Sequence, residues 1–463
     1  MSNTIITVIG AGSASFGENT LSALLRSKKL QGSTLRLVDR NAQSLDIVHR
    51  LANRLNKEWN ANFHISAHTH HKDALQDADF VVSAIEVGPR EELWKSDFEI
   101  PLKYGVRQPY AENGGPGGFA HAARNIQPVL EIAHDMEAAC PNAWFINFTN
   151  PMVRICDAVN RYSKIKVVGL CHQIYQGYMM AGVALAKDLN LQIPEGLEST
   201  HADILQHPLQ QMMIHQALPL MDIKAAGTNH FTWILSIHHK QTGEDLYPLL
   251  RKRFFELDEK FEPLTRRLFH DFGLLPVPGD SHLCEYLPWM SDPMTKPHEA
   301  FNIRLYDWDV MASVRDFSLD RLNEMANGNA TIDGLLETDS EGALEIIENI
   351  AYAGNHYHLA ANLPNRGQIA NLPFNAIVET PVHIGAAGIQ PLYMGELPTP
   401  IAELCRREIT TAQLCVDAAA EGDYQKALQC LLLDPVITDM NLAKKILDDY
   451  LNAYKEHLPQ FWK

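Results

Sequence analysis

Over residues 1–190, short β-branched and aromatic runs alternate with longer segments in which apolar residues recur every three or four positions. Ile5–Ile9, Leu35–Val38, Phe80–Val87, Trp144–Phe148 and Val167–Leu170 read as strands. Segments between them, such as Gln127–Ala139, read as helices crossing from one strand to the next. This rhythm is that of a parallel sheet covered by helices on both faces. Past Leu191 the texture changes. Met221–Ala226 and Phe231–His238 read as strands, with a turn at Gln241-Thr242-Gly243, and from Tyr247 onward the sequence is mostly helical. Ala343–Ala361 and Ile401–Leu433 stand out there as helices. The pattern predicts an α/β chain: a Rossmann-like doubly wound domain over 1–190, interlocked with a mixed α/β domain over 191–463.

Composition narrows the partners. A formal charge of -17 argues against nucleic acid or an anionic membrane, both of which are held by dense Lys/Arg surfaces. No stretch approaches the roughly 18 to 20 apolar residues of a membrane span. The start of the chain lacks a basic region followed by an apolar signal core. The 7 cysteines follow no pairing rhythm, which fits a reducing compartment. A cytoplasmic location is expected.

The first strand runs into Gly10-Ala11-Gly12-Ser13-Ala14-Ser15-Phe16-Gly17. Glycines at positions 10 and 12 let the turn tighten and let a pyrophosphate approach free N–H groups at a helix start. Ser15 stands where the usual fingerprint has its third glycine. Asp39, at the end of the second strand, is placed to accept the ribose hydroxyls and to repel a 2′-phosphate. NAD is therefore expected over NADP, although the neighbouring Arg40 would soften that repulsion. Gly10, Gly12, Ser13, Ser15, Phe16 and Asp39 are the candidate NAD-binding residues.

Four polar clusters fall where strands should end or where the second domain should face the cofactor. They are Phe148-Thr149-Asn150-Pro151, Gly169-Leu170-Cys171-His172-Gln173, Gly227-Thr228-Asn229-His230 and the segment from Pro278 to Tyr286. Ligands of such sheets bind beyond the carboxyl ends of the strands. Cys171 and His230 offer a soft and a borderline ligand able to hold a transition metal with positions left open. Each has a bland reading too: a buried core cysteine and a structural histidine.

Taken together, Thr149-Asn150-Pro151, Gly169-Leu170-Cys171-His172, Ala226-Gly227-Thr228-Asn229-His230 and Gly279-Asp280-Ser281-His282 resemble glycoside hydrolase family 4. The family comprises the NAD- and manganese-dependent glycosidases. Ile100-Pro101-Leu102-Lys103-Tyr104-Gly105 and Gly114-Gly115-Pro116-Gly117-Gly118 share the resemblance, which extends to about Trp289. It implies an architecture like that of the lactate and malate dehydrogenases and an activity outside the usual two-carboxylate scheme. Nicotinamide takes hydride from sugar carbon 3, a base removes the now acidic proton at carbon 2, the glycosidic oxygen is eliminated, and water adds before hydride returns. On this resemblance Cys171 and His230 bind Mn²⁺ or another divalent metal, Asp280 is the base and His172 the acid. Asn150 orients a sugar hydroxyl, with His282 and Glu285 as further candidates. The Cys-His pattern points to an α-linked, unphosphorylated galactoside, glucoside or uronide as the small-molecule substrate, and the family resemblance implies a homodimer or homotetramer.

Around this core lie looser candidates. Arg90 and Lys95 could grip a uronic carboxylate, and Glu112 and Asn113 could reach the sugar; a solvated helix and a polar loop are the bland readings. His68, His70 and His71 lie on or after an outer strand, away from the glycine turn. The main rival is an NAD-dependent 2-hydroxy acid dehydrogenase, which shares the nucleotide fold but needs no metal and does not account for Cys171-His172. A nucleotide-sensing protein without turnover would need no base.

Overall fold

The structure, a computed structural model, describes residues 4–13, 19–195, 197, 207–292, 294–338 and 340–462. Six parallel strands form its first half: β1 Ile5–Ile9, β2 Thr34–Val38, β3 His64–His68, β4 Phe80–Ser83, β5 Trp144–Asn147 and β6 Lys166–Gly169. They lie in the order β3-β2-β1-β4-β5-β6. The predicted strands are all present. The third ends at His68, before His70 and His71, and the fourth ends at Ser83 instead of Val87, after which Gly88 and Pro89 lead the chain into the helix Arg90–Leu102.

Successive residues of each strand point to opposite faces, so the alternating apolar pattern builds two cores. Val81, Phe145 and Val167 pack on one face with the helices Gly115–Ala139, Met152–Tyr162 and Thr399–Glu421. Val82, Ile146 and Val168 pack on the other with Ala42–Glu58, Trp308–Asn327 and Ala343–Ala351. Helices from the second half of the chain thus cover both faces of the first sheet.

The second half contributes strands β7 Met221–Thr228, β8 Phe231–His239, β9 Asn355–Pro364, β10 Ile377–Gly385 and β11 Gly388–Pro391. Here the expectation of continuous helix is corrected. The helix beginning at Ala343 ends at Ala351, because Ala353 takes a left-handed φ of 52° and Gly354 packs so closely on Asn349 that a side chain there would collide with it. The chain then re-enters the sheet as β9. The predicted helix Ile401–Leu433 is likewise two helices, broken at Gly422 with φ 72°.

These strands extend the sheet as β6-β9-β10-β7-β8, giving eleven strands among the described residues. The joins are narrow. β6 meets β9 at the single pair Gly169 and Asn362, and β10 meets β7 at the single pair Glu379 and Gly227. Among the described residues no helix is long and apolar enough to cross a membrane.

Candidate active site

The nucleotide turn forms as its glycines require. Gly10 adopts φ 87°, and any side chain there would collide with the Ala84 carbonyl at the end of β4. Gly12 donates its N–H to Asp39 Oδ2 at 2.8 Å, and Asn41 donates to Oδ1 at 2.8 Å, which fixes the carboxylate beside the turn. Arg40 is exposed. Ser13 is partly buried, whereas Ser15 and Phe16 lie outside the described residues.

Cys171 follows β6, and His230 occupies the tight turn between β7 and β8, with φ 63°, an uncommon conformation for a residue other than glycine. This turn aims the ring back across the sheet. Cys171 Sγ and His230 Nε2, remote in sequence, lie 3.3 Å apart. Burial, with smaller contributions from His282 and His172, pushes the imidazolium of His230 well below the ordinary histidine range. The ring is therefore neutral and its nitrogens are available as ligands. Its Nδ1 is buried and has no partner in the structure. Burial, and then the nearby Glu379 carboxylate, raise the Cys171 thiol. A thiol held up in this way is deprotonated by a bound cation, and the 3.3 Å separation suits two neighbouring ligand atoms with bonds of roughly 2.0 to 2.3 Å. The residues fit a soft-to-borderline divalent metal.

The His282 ring stacks on His230, with centroids 4.2 Å apart and planes at 23°. Its Nδ1 lies 3.5 Å from Glu285 Oε1 and 3.9 Å from Glu112 Oε2. Glu112, His282 and Glu285 offer ligand atoms that all lie within 4.8 Å of one another. Glu285 Oε2 accepts three consecutive N–H groups, from Glu112 at 2.8 Å, Asn113 at 2.7 Å and Gly114 at 3.0 Å. That nest of donors opens the long helix Gly115–Ala139, where the backbone favours an anion. The glycine cluster explains the approach: a side chain at Gly114 would strike the Glu285 backbone, and one at Gly118 would fall 2.3 Å from the Asn113 carbonyl oxygen. The cluster that carried the resemblance is therefore what lets this loop close onto the site.

Asn150 stands after β5, joined to Pro151 by a cis peptide, and its Oδ1 is buried without a partner. Asn113 Oδ1 and Glu285 Oε1 are unpartnered in the same way. His172 is exposed, and the Glu341 carboxylate, 3.4 Å away, raises its pKa above the ordinary value.

Two expected roles meet contrary geometry. Asp280 Oδ1 accepts the Thr265 N–H at 2.7 Å and Oδ2 the Leu264 N–H at 2.9 Å. The carboxylate thereby caps the helix Pro263–Phe272 and is not presented as a free base. Arg90, expected to grip a substrate carboxylate, is already paired inside the protein: it donates to Glu112 Oε1 at 2.8 Å and lies over the Trp94 ring at 5.3 Å. Lys95 pairs with Asp309. His71 pairs with Asp135 at 2.7 Å, and His68 with Ser66 at 2.9 Å.

The sequence reading missed Glu379, which joins three amide side chains beside Cys171, and Glu86. Glu86 follows β4 and binds His121 at 3.0 Å and Asn125 at 2.9 Å. Burial opposes the charge on Glu86, but His121 and Arg90 prevail and hold it down to about 2. It also missed the aromatic wall of Tyr110, edge-on to His282 at 5.4 Å, and of Trp94 stacked on Tyr306 at 4.1 Å. Only the first of these carried a signal, an acid within an otherwise apolar run at Ile377-Val378-Glu379-Thr380.

Known proteins resemble this chain over nearly its whole length. Residues 5–190 match the family described as Family 4 glycosyl hydrolase, and residues 225–437 match the Family 4 glycosyl hydrolase C-terminal domain. An alpha-galactosidase of Bacillus subtilis (strain 168) is 30% identical over 98% of this chain and 99% of its own. An alpha-glucosidase of Erwinia rhapontici is 29% identical over 96% of each chain. The 6-phospho-alpha-glucosidase from gut microorganisms solved with NAD and Mn²⁺ superposes with a TM-score of 0.79 at 22% identity, covering 99% of this chain and 100% of that one. A lactate dehydrogenase of Eimeria maxima reaches 0.50 at 14%, covering 91% and 96%, a likeness of fold alone. The chain belongs to the family 4 glycosyl hydrolases.

Proposed function

We propose that the protein hydrolyses an α-linked, unphosphorylated and uncharged hexoside, using NAD and a divalent metal, Mn²⁺ first among candidates. The observation that carries this reading is the meeting of Cys171 and His230 at 3.3 Å, with Cys171 beyond the carboxyl end of β6 in the parallel sheet whose β1 leads into the nucleotide turn. When bound, NAD supplies a reversible hydride acceptor for sugar carbon 3, and the cation supplies positive charge against the hydroxyls at carbons 2 and 3.

The chain's own residues do the rest. Gly10, Gly12, Ser13 and Asp39 hold the dinucleotide, and Asn150 and Asn113 meet the sugar. His172 protonates the departing oxygen; Glu341 raises its pKa and so favours the protonated ring that an acid requires. Proton removal at carbon 2 we assign to His282, whose ring lies against His230 and whose Nδ1 has no hydrogen-bond partner, in place of the capped Asp280.

Charge supports an uncharged sugar. Arg90 is already paired with Glu112, and Glu285 adds a further carboxylate. The buried oxygens of Asn113, Asn150 and Glu285 that make no hydrogen bond call for hydroxyl donors, as a sugar ring offers. Two relatives bear the neutral-sugar names alpha-galactosidase and alpha-glucosidase, while three others are named alpha-galacturonidase, which makes the uronic arm of the test below the decisive comparison. A thiolate ligand also favours the reducing cytoplasm, and a homodimer or homotetramer is the assembly we expect.

The test is a panel of α and β nitrophenyl glycosides, neutral, uronic and phosphorylated, assayed with NAD and Mn²⁺ under reducing conditions. A neutral α-glycoside should turn over, stop with chelator and recover with Mn²⁺. Silence across every α-glycoside, as expected of a 2-hydroxy acid dehydrogenase, would sink the reading, and so would glycoside turnover indifferent to chelator.

A further inference from the structure

Glu379 sits at the seam of the sheet. On β10 it is the one residue paired with β7, opposite Gly227, and it also faces Asn362 of β9. Asn362 is in turn the one residue of β9 paired with β6, at Gly169. Gly169 precedes Cys171 by two positions and Gly227 precedes His230 by three, so Glu379 lies between the two strand ends that present the metal-ligand pair.

Its carboxylate is buried, with 2% of the residue exposed. Oε1 accepts Gln173 Nε2 at 2.7 Å, and Oε2 accepts Asn229 Nδ2 at 2.7 Å and Asn362 Nδ2 at 2.8 Å. Asn229 is the chain neighbour of His230, and Gln173 lies two residues beyond Cys171. These donors are amides, which orient the oxygens but bring no positive charge. A carboxylate buried without a cation is costly.

We propose that Glu379 is the anionic positioning residue of the metal centre: it locks the turn carrying His230 to the loop carrying Cys171, and its charge, with that of the Cys171 thiolate, balances a divalent cation held between the two. Outer-shell groups of this kind change metal affinity by about 10- to 100-fold when removed. The inference rests on Cys171 and His230 holding a metal, and the two can fail separately.

Free Mn²⁺ gives a six-line electron paramagnetic resonance signal that vanishes on binding, so affinity is read without turnover. Wild-type protein with NAD should bind Mn²⁺; if it does not, the metal reading itself is lost. Glu379→Gln should bind Mn²⁺ roughly 10- to 100-fold more weakly, with NAD affinity, followed by protein fluorescence, unchanged. Because Glu379→Gln sets an amide against amide donors, a second variant returns the charge: Glu379→Gln with Asn362→Asp should recover most of the affinity. Wild-type affinity in Glu379→Gln overturns the proposal. So does a folded double variant that still binds more than about tenfold more weakly than wild type, and that variant alone decides the matter if Glu379→Gln does not fold.

Discussion

Replacing Glu285 with alanine withdraws the common acceptor of three consecutive N–H groups, those of Glu112, Asn113 and Gly114. The side chain has no solvent exposure, so water does not already share these bonds. A buried donor left unpaired costs about 1 to 3 kcal/mol. Three of them, with water entering part of the vacated volume, give an expected loss of about 3 to 5 kcal/mol. An unfolding entropy of about 2.1 cal/mol/K per residue makes roughly 1 kcal/mol/K for this chain, so the midpoint should fall by about 3 to 5 °C. Hydrogen exchange reads the same loss locally. Every 1.4 kcal/mol is tenfold, so the amides of 112–114 should exchange about a hundredfold faster or more, while those in β1 to β6 stay protected. Glu285→Gln, which keeps an acceptor oxygen but not the charge, should fall between wild type and alanine on both measures. Unchanged protection at 112–114 in Glu285→Ala would refute the idea that this carboxylate holds the loop over the site.

Cys171→Ser should abolish Mn²⁺ binding and turnover while leaving NAD affinity within about twofold, since the residue lies outside the nucleotide turn; loss of NAD binding in a titration would make the cysteine structural. Gly118→Ala puts a methyl group 2.3 Å from the Asn113 carbonyl oxygen. It should cost about 1 to 3 kcal/mol in a denaturant melt and raise KM through Asn113, and a wild-type KM would argue that the loop does not touch substrate. Burial lifts Glu408 to about 8, against the lowering from its Thr228 hydrogen bond and from Arg154. Between an unfolded carboxyl value of about 4.3 and 8 the folded chain therefore holds a proton that the unfolded chain lacks, so stability falls as pH rises through that window. Glu408→Gln should flatten urea midpoints measured at pH 5 and pH 8, and an unaltered slope would place the titration elsewhere.

Much of this was legible because it is local. The six parallel strands carry their own alternation, and Gly10 and Asp39 announce themselves by position. The thiolate and imidazole of the centre also stood in short motifs at strand ends. What stayed hidden depends on distant packing. Asp280 looks like a reactive acid in sequence, yet it is consumed by the helix start at Leu264 and Thr265, a partnership that no spacing reports. Arg90 and Glu112, 22 positions apart, cancel each other for the same reason. Extending the helix past Ala351 erased β9, and with it the strand pairing that sets Asn362 opposite Glu379. Gly354 was the stop signal, and the helical spacing upstream outweighed it.

The two single-residue joins of the sheet have a mechanical consequence. Cys171 rides on the end of β6 and His230 on the turn of β7, and among the described residues the sheet passes between them through the single strand pairs Gly169–Asn362 and Glu379–Gly227. A shift of one strand end against the other would therefore alter the sulfur-to-nitrogen gap. Substrate that draws the halves together would tune the grip on the cation in the same stroke, and a loosened seam would release it.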